Sequence, residues 1–270
     1  MAALFKGAVI QICSKLDYQE NLSKIQKFIT EAKEEGAENI FLPEVFYSMS
    51  NGTEPTPYLL SSGNEHERNV INLAKKNNVN LIGGSCATLV GEDIVNRSYV
   101  ISKKGEILST YDKRNLFKCR FINKKNNKKI DIDESRIYTA GDELVVYEDT
   151  ADWKIGLSIC FDLRFSEHFL DLRKKGASIL SCPSAFTKKT GAMHWQILNQ
   201  ARAVESQSFV VSAAQVGQNN DTVSTYGHSL VIDPMGKILV DLGGEKEGVG
   251  NFTLDISDII EARSQIMMDR

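Results

Sequence analysis

The chain has few cysteines and they lie far apart. Cys13, Cys86, Cys119, Cys160 and Cys182 form no C-x-x-C pair in 270 residues. That scatter, and the odd count, exclude a disulfide framework and a clustered-thiolate zinc site, and they point to a reducing, cytoplasmic compartment. No apolar run approaches the roughly 18 residues that a membrane-spanning helix needs. The opening stretch MAALFKGAVIQIC is broken by Lys6 and lacks the charged and apolar regions of an export signal. Charge of one sign is scarce as well: 32 basic against 35 acidic residues leave a net charge of −3, which gives no global footprint for nucleic acid or an anionic membrane. There is no G-x-G-x-x-G or Walker A loop, no internal repeat and no low-complexity segment, so nucleotide cofactors have no motif support. What is present is the usage of an ordinary folded protein, 42% apolar and 25% charged, whose expected partners are small molecules.

Apolar periodicity gives the organisation. Leu4 to Ile12 reads as a strand, followed from Tyr18 to Glu35 by Leu22, Ile25, Phe28, Ile29 and Ala32 at helical spacing, with Gly36 placed to end the helix. Asn39 to Leu42 and Val79 to Ser85 read as strands around a helix from His66 to Lys76. Turn residues at Lys103 to Gly105 and at Pro234 to Gly236 predict two hairpins. Trp153 to Ile159, Ala177 to Ser181 and Phe209 to Gln215 read as strands separated by helices near Glu167 to Lys175 and His194 to Ser206. This is an α/β chain with mixed sheets and no linker, one domain over residues 1–270. Lys118 to Asp133, rich in Lys and Asn, interrupts the rhythm and is open to two readings: a solvated loop, or a basic rim for an acidic substrate.

Three polar residues sit at predicted strand tips, where α/β sheets bind ligands. Cys160 follows an apolar strand and precedes a predicted helix, whose dipole would favour thiolate; taken alone, it is equally a small core residue. Glu44 follows Pro43 among apolar neighbours, where desolvation would make it a better proton acceptor; alone, it is a strand end reaching water. Lys113 closes the first hairpin and on spacing alone is a solvent-facing terminus. Together they put a thiol, a carboxylate and an ammonium at the carboxyl ends of three strands of one sheet.

The segments FLPEVF (Phe41 to Phe46), YDKRNLF (Tyr111 to Phe117) and ICFDLRFSE (Ile159 to Glu167) resemble, in order, the three catalytic motifs of the nitrilase superfamily of carbon-nitrogen hydrolases. The likeness continues through DESRIYTAGDE, PSAFTKKTGAMHW, QARAVESQSFVVSAAQVG and YGHSLVIDPMGKIL, and these look most like the deaminated glutathione amidase and omega-amidase branch. The resemblance implies a four-layer αββα sandwich, two mixed sheets with helices outside. It implies Cys160 as nucleophile, Glu44 as general base, Lys113 as partner of the oxyanion together with the Phe161 N–H, and Glu134 as a second glutamate near the site. Phe161, Arg164 and Phe186 match the pocket wall. Arg164 there either meets a substrate carboxylate or forms an internal salt bridge with Asp162 or Glu167.

The activity implied is hydrolysis of a small carboxylate-bearing amide, like deaminated glutathione, to acid and ammonia through a cysteine thioester, with no metal or organic cofactor. Alternatives are an omega-amidase acting on α-ketoglutaramate, and a hydrolase of N-carbamoyl or nitrile substrates. Two others differ in kind: a Cys160 enzyme using His168, His194 or His228, and an inactive scaffold of the same fold. The resemblance further implies a homodimer or higher homo-oligomer, with the helix from His194 to Ser206 as a candidate surface. Asn115 and Lys118 depart from the branch pattern after Lys113, and Ser166 replaces a common proline.

Overall fold

The computed structural model describes residues 3–123 and 128–268, with side chains described outside 121–130. In chain order the first elements are β1 (Leu4–Gln11), α1 (Tyr18–Glu34), β2 (Asn39–Phe41), α2 (Glu65–Asn77), β3 (Asn80–Val90), β4 (Asp93–Ile101), β5 (Ile107–Asp112), β6 (Lys118–Asn123) and β7 (Lys128–Asp133). Next come β8 (Val146–Glu148), β9 (Lys154–Leu157), α3 (Ser166–Lys174), β10 (Ile179–Ser181), α4 (Lys188–Ser206) and β11 (Phe209–Ser212). The last are β12 (Val216–Gln218), β13 (Ser224–Tyr226), β14 (Leu230–Ile232), β15 (Ile238–Asp241), β16 (Gly248–Asp255) and α5 (Ile256–Gln265). No helix of the described residues is long and apolar enough to cross a membrane.

Two six-stranded sheets run in the orders β16-β1-β2-β3-β4-β5 and β15-β14-β11-β10-β9-β8. Each has three parallel strands at its heart and antiparallel flanks. Alternation along the strands sorts their side chains into layers. In the first sheet Val9, Phe41, Ile82 and Val100 meet Ile155, Ile179, Phe209 and Val231 of the second. On the opposite face of the first sheet, Ala8, Ile10 and Ile40 pack on Ile25, Ile29 and Val70 of α1 and α2. On the outer face of the second, Leu180, Val210 and Ile232 pack on Phe169 and Trp195 of α3 and α4. The layers are therefore helix, sheet, sheet, helix, as the resemblance implied.

Caps hold the helices where the sequence signals them. Asp17 accepts from the Gln19 N–H ahead of α1, and Asn64 accepts from the Glu67 N–H ahead of α2. α4 begins six residues before the predicted His194, because Thr187 caps it through the Thr190 N–H.

The described part of the stretch Lys118 to Asp133 is strand rather than loop. It is the antiparallel pair β6 and β7, in which Cys119 faces Ile132. Its described cations are partly matched in charge, Lys118 by Asp133 at 3.4 Å and Arg120 by Asp131 at 3.1 Å. Lys124 and Lys125, which motivated the basic-rim reading, lie outside the described residues, as do the side chains of Lys128 and Lys129.

Candidate active site

Glu44 follows β2 and Lys113 follows β5, both in the first sheet, whereas Cys160 follows β9 in the second. The expected single sheet is thus corrected: the groups meet because two facing sheets end together. Glu134, directly after β7, comes from outside both sheets and heads a short 3-10 helix ending at Arg136.

Lys113 Nζ lies 2.8 Å from Glu44 Oε1 and 2.8 Å from Glu134 Oε2, with its side chain fully buried. Glu44 is 3% exposed, and it accepts from three donors: Lys113, Asn96 Nδ2 at 2.9 Å and the Ala185 N–H at 2.9 Å. Such donor-only surroundings suit an ionised carboxylate. Burial alone would lower the Lys113 pKa, but the Glu134 and Glu44 carboxylates outweigh it and hold the ammonium well above its ordinary value. For Glu134, burial pushes the carboxyl up against the pull of Lys113.

Cys160 opens a 3-10 helix that ends at Arg164, not an α-helix, and its backbone φ of 46° lies in the left-handed region. Val45, next to Glu44, has the same φ of 46°. A β-branched residue there is strained, by about 1–3 kcal/mol. Both turns are pinned by hydrogen bonds: the Cys160 N–H donates to Pro183 O at 2.9 Å, and the Val45 N–H donates to Ser85 Oγ at 3.0 Å. The thiolate expectation is also corrected. Burial first, then the Glu44 charge, push the Cys160 thiol well above its ordinary value, with Lys113 opposing. The thiol is thus held toward its neutral form, in a cavity that Glu44 also lines.

A cavity of about 170 Å3 is lined by Glu44, Asn96, Phe117, Glu134, Tyr138, Cys160, Phe161, Arg164, Ala185 and Phe186, among others. Phe161, Arg164 and Phe186 are thus brought to the wall as expected, the guanidinium carbon 5.7 Å from the Phe161 ring centroid and 5.2 Å from that of Phe186. The salt-bridge alternative for Arg164 falls. Among the described residues its one hydrogen-bond neighbour is His194 Nδ1 at 3.3 Å. Asp162 is committed elsewhere, taking Tyr111 Oη at 2.7 Å, the Ile159 N–H at 2.8 Å, and both the N–H and Nδ2 of Asn115 at 3.0 and 2.8 Å. The departure at Asn115 therefore ties the segment carrying Lys113 to the turn carrying Cys160.

The histidines do not form a dyad with Cys160. His168 faces Leu157 O at 3.3 Å, and His228 pairs with Asp241 at 2.9 Å. Cys182 is buried beside Ser184 rather than on the cavity wall.

Sequence reasoning missed Asn96, Tyr138 and Ala185. Asn96 had a signal, a polar residue within the apolar run of β4; Tyr138 and Ala185 have none that is local.

A carbon-nitrogen hydrolase family model matches residues 6–264. The chain is 37% identical over 266 residues to a deaminated glutathione amidase of Dictyostelium discoideum, covering 95% of this chain and 89% of that protein. It is 31% identical to the omega-amidase NIT2 of Mus musculus, covering 97% and 92%. The crystal structure of Saccharomyces cerevisiae Nit3, a member of branch 10 of the nitrilase superfamily, superposes with a TM-score of 0.86 at 29% identity, covering 99% of this chain and 96% of that one. The chain belongs to the carbon-nitrogen hydrolase family.

The neutral thiol makes a prediction. Because the Cys160 pKa is raised, its thiolate reactivity develops only as pH rises beyond the ordinary thiol range of about 8.5, and Glu44→Gln, by removing the anion while keeping Lys113, moves that rise to lower pH. Site-resolved mass spectrometry of iodoacetamide alkylation across pH measures it; an unchanged or higher midpoint in Glu44→Gln contradicts the electrostatics.

Proposed function

We propose that this carbon-nitrogen hydrolase is a cofactor-independent amidase for a small carboxylate-bearing amide, using Glu44, Lys113 and Cys160, with Glu134 holding Lys113. The observation that carries the reading is the cavity where Cys160, Glu44 and Glu134 meet, with the Lys113 ammonium 2.8 Å from both carboxylates. Glu44 takes the thiol proton as sulfur attacks the amide carbonyl carbon. The oxyanion develops toward the charge of Lys113 and the Phe161 N–H, which lies in the first turn of a helix, where such groups lack helical partners. Collapse breaks the carbon-nitrogen bond, and Glu44 returns its proton to the departing nitrogen. Ammonia leaves from a primary amide and an amine from a substituted one. Glu44 then deprotonates a water that cleaves the thioester, releasing the acid and restoring the thiol.

Arg164, between Phe161 and Phe186 and without a carboxylate partner among the described residues, suits the substrate carboxylate. The Dictyostelium relative supports a deaminated-glutathione-like substrate and the mouse relative supports α-ketoglutaramate. The reading includes one domain over the whole chain, a cytoplasmic location, supported by five cysteines without a disulfide, and a homodimer or larger homo-oligomer. The last rests on the outward stripe of α4, where Met193, Ile197 and Val204 are 57%, 65% and 45% exposed.

Turnover of both amides, followed by acid release, is expected to vanish in Cys160→Ala. Arg164→Gln is expected to cut kcat/KM on either by roughly ten- to a hundredfold, the worth of a hydrogen bond to a charged group. Turnover surviving in Cys160→Ala overturns the reading. In sedimentation at micromolar concentration the protein should run as a dimer or larger, and Ile197→Glu should shift it toward monomer; a wild-type monomer sinks the oligomer claim.

A further inference from the structure

The guanidinium that suits the substrate carboxylate has to be aimed. Arg164 lies against two rings, 5.7 Å from the Phe161 centroid and 5.2 Å from that of Phe186. Ring contacts fix where a guanidinium sits, while hydrogen bonds fix where its N–H groups point. Among the described residues Arg164 makes one such bond: Nη1 lies 3.3 Å from Nδ1 of His194. A guanidinium has no acceptor atom, so for this bond to form Nδ1 must be the bare nitrogen of a neutral imidazole, with the ring proton on Nε2.

α4 makes that imidazole a fixed support. Its neighbour Trp195 is fully buried, donates from Nε1 to His228 O at 2.6 Å, and sets its ring 4.9 Å from that of Phe186. One turn of α4 thus secures both the acceptor for Arg164 and one of the rings beside it. His194 is not among the residues lining the cavity, so it reaches the substrate through the guanidinium. Among the described residues Arg164 is also the charged group that faces the ring. On the same 3-10 turn Asp162 is spent on Tyr111 and Asn115; on α3 His168 turns to Leu157 O, Asp171 pairs with Lys174, Arg173 reaches Ser206 O and Glu167 is exposed. On β13 Tyr226 stacks on His228, and β11 and β14 carry no titratable side chain. On α4 itself Lys188 and Lys189 stand more than a turn away, and Arg202 is bonded to Glu205.

We propose that His194 is a positioning residue for Arg164: its neutral ring holds the guanidinium in the attitude that receives the substrate carboxylate, and protonating the ring releases it. A protonated Nδ1 becomes a donor, which breaks the bond and sets two cations side by side. Affinity for a carboxylate-bearing amide then falls as pH drops through the histidine range, while the chemistry at Cys160 does not pass through His194. This rests on the amidase reading of the cavity and its assignment of Arg164.

Calorimetric binding of glutaramate to the Cys160→Ala protein, which needs no turnover, tests it. With the histidine in place, Kd is expected to rise about three- to tenfold between about pH 8 and about pH 5.5, the worth of one modest hydrogen bond. His194→Asn, whose Oδ1 can take the place of Nδ1, should bind as at the higher pH throughout. His194→Leu should bind weakly at both ends of the range, and in steady state should raise KM rather than lower kcat. In an Arg164→Gln background His194→Leu should add nothing. A Kd that improves at low pH overturns the proposal, since the imidazolium would then be a second cation for the substrate. So does a pH profile that survives in His194→Asn, or a His194→Leu loss that persists in Arg164→Gln and marks a merely structural role. Arg164→Gln binding as tightly as its parent would strike the assignment of Arg164 and this proposal with it. Binding that depends on His194, without turnover by the Cys160 protein, would sink the amidase reading and keep the proposal.

Discussion

Two carboxylates facing one small, largely apolar cavity repel each other and lose their hydration, and a cation must stand between them for the fold to keep both. Lys113 is that cation. It is fully buried, its three ammonium protons point at Glu44 and Glu134, and its own burial penalty is outweighed by the two charges. Removing Lys113 would leave two carboxylates without their cation, a loss of the kind that costs about 3–5 kcal/mol. The cluster is therefore a device for holding a proton acceptor in place, with an ammonium close by where negative charge can develop.

The rest of the structure brings a thiol to that device. Two sheets of like construction end on one side of the molecule, and two left-handed residues, Val45 and Cys160, turn the chain so that Glu44 and the thiol face one cavity. Asp162 spans the gap, bonding the Lys113 segment through Tyr111 and Asn115 and the Cys160 turn through Ile159. Gln215 does the same for the first sheet, bonding both Ser14 and the Glu44 carbonyl. Buried and fully satisfied polar bridges of this kind rigidify the site as well as stabilise it.

Much of this was legible in the sequence, because strand tips, apolar alternation and helix caps are local signals. Glu44, Lys113 and Cys160 are all found at the strand ends where periodicity put them. What was illegible was non-local. Spacing cannot say that Cys160 belongs to a different sheet from Glu44, nor that Glu44 would raise the thiol rather than a helix lower it. The pair β6 and β7 read as a loop because lysines and asparagines crowd its tip, although Cys119 and Ile132 keep a strand alternation across it. The expectations likewise do not include the turn joining β3 to β4 at Gly91, with φ of 62°, nor β16 and α5.

The central claim is that Cys160 attacks an amide while Glu44 handles the proton. Intact-mass spectrometry of the protein quenched during turnover, followed by peptide mapping, tests it directly. The account predicts an adduct of the acyl group alone, without the amide nitrogen, mapping to Cys160 in the wild type and absent from both Glu44→Gln and Cys160→Ala. Steady amide hydrolysis by the wild type with no acyl adduct, an adduct on another residue, or an adduct forming as readily in Glu44→Gln, would contradict it.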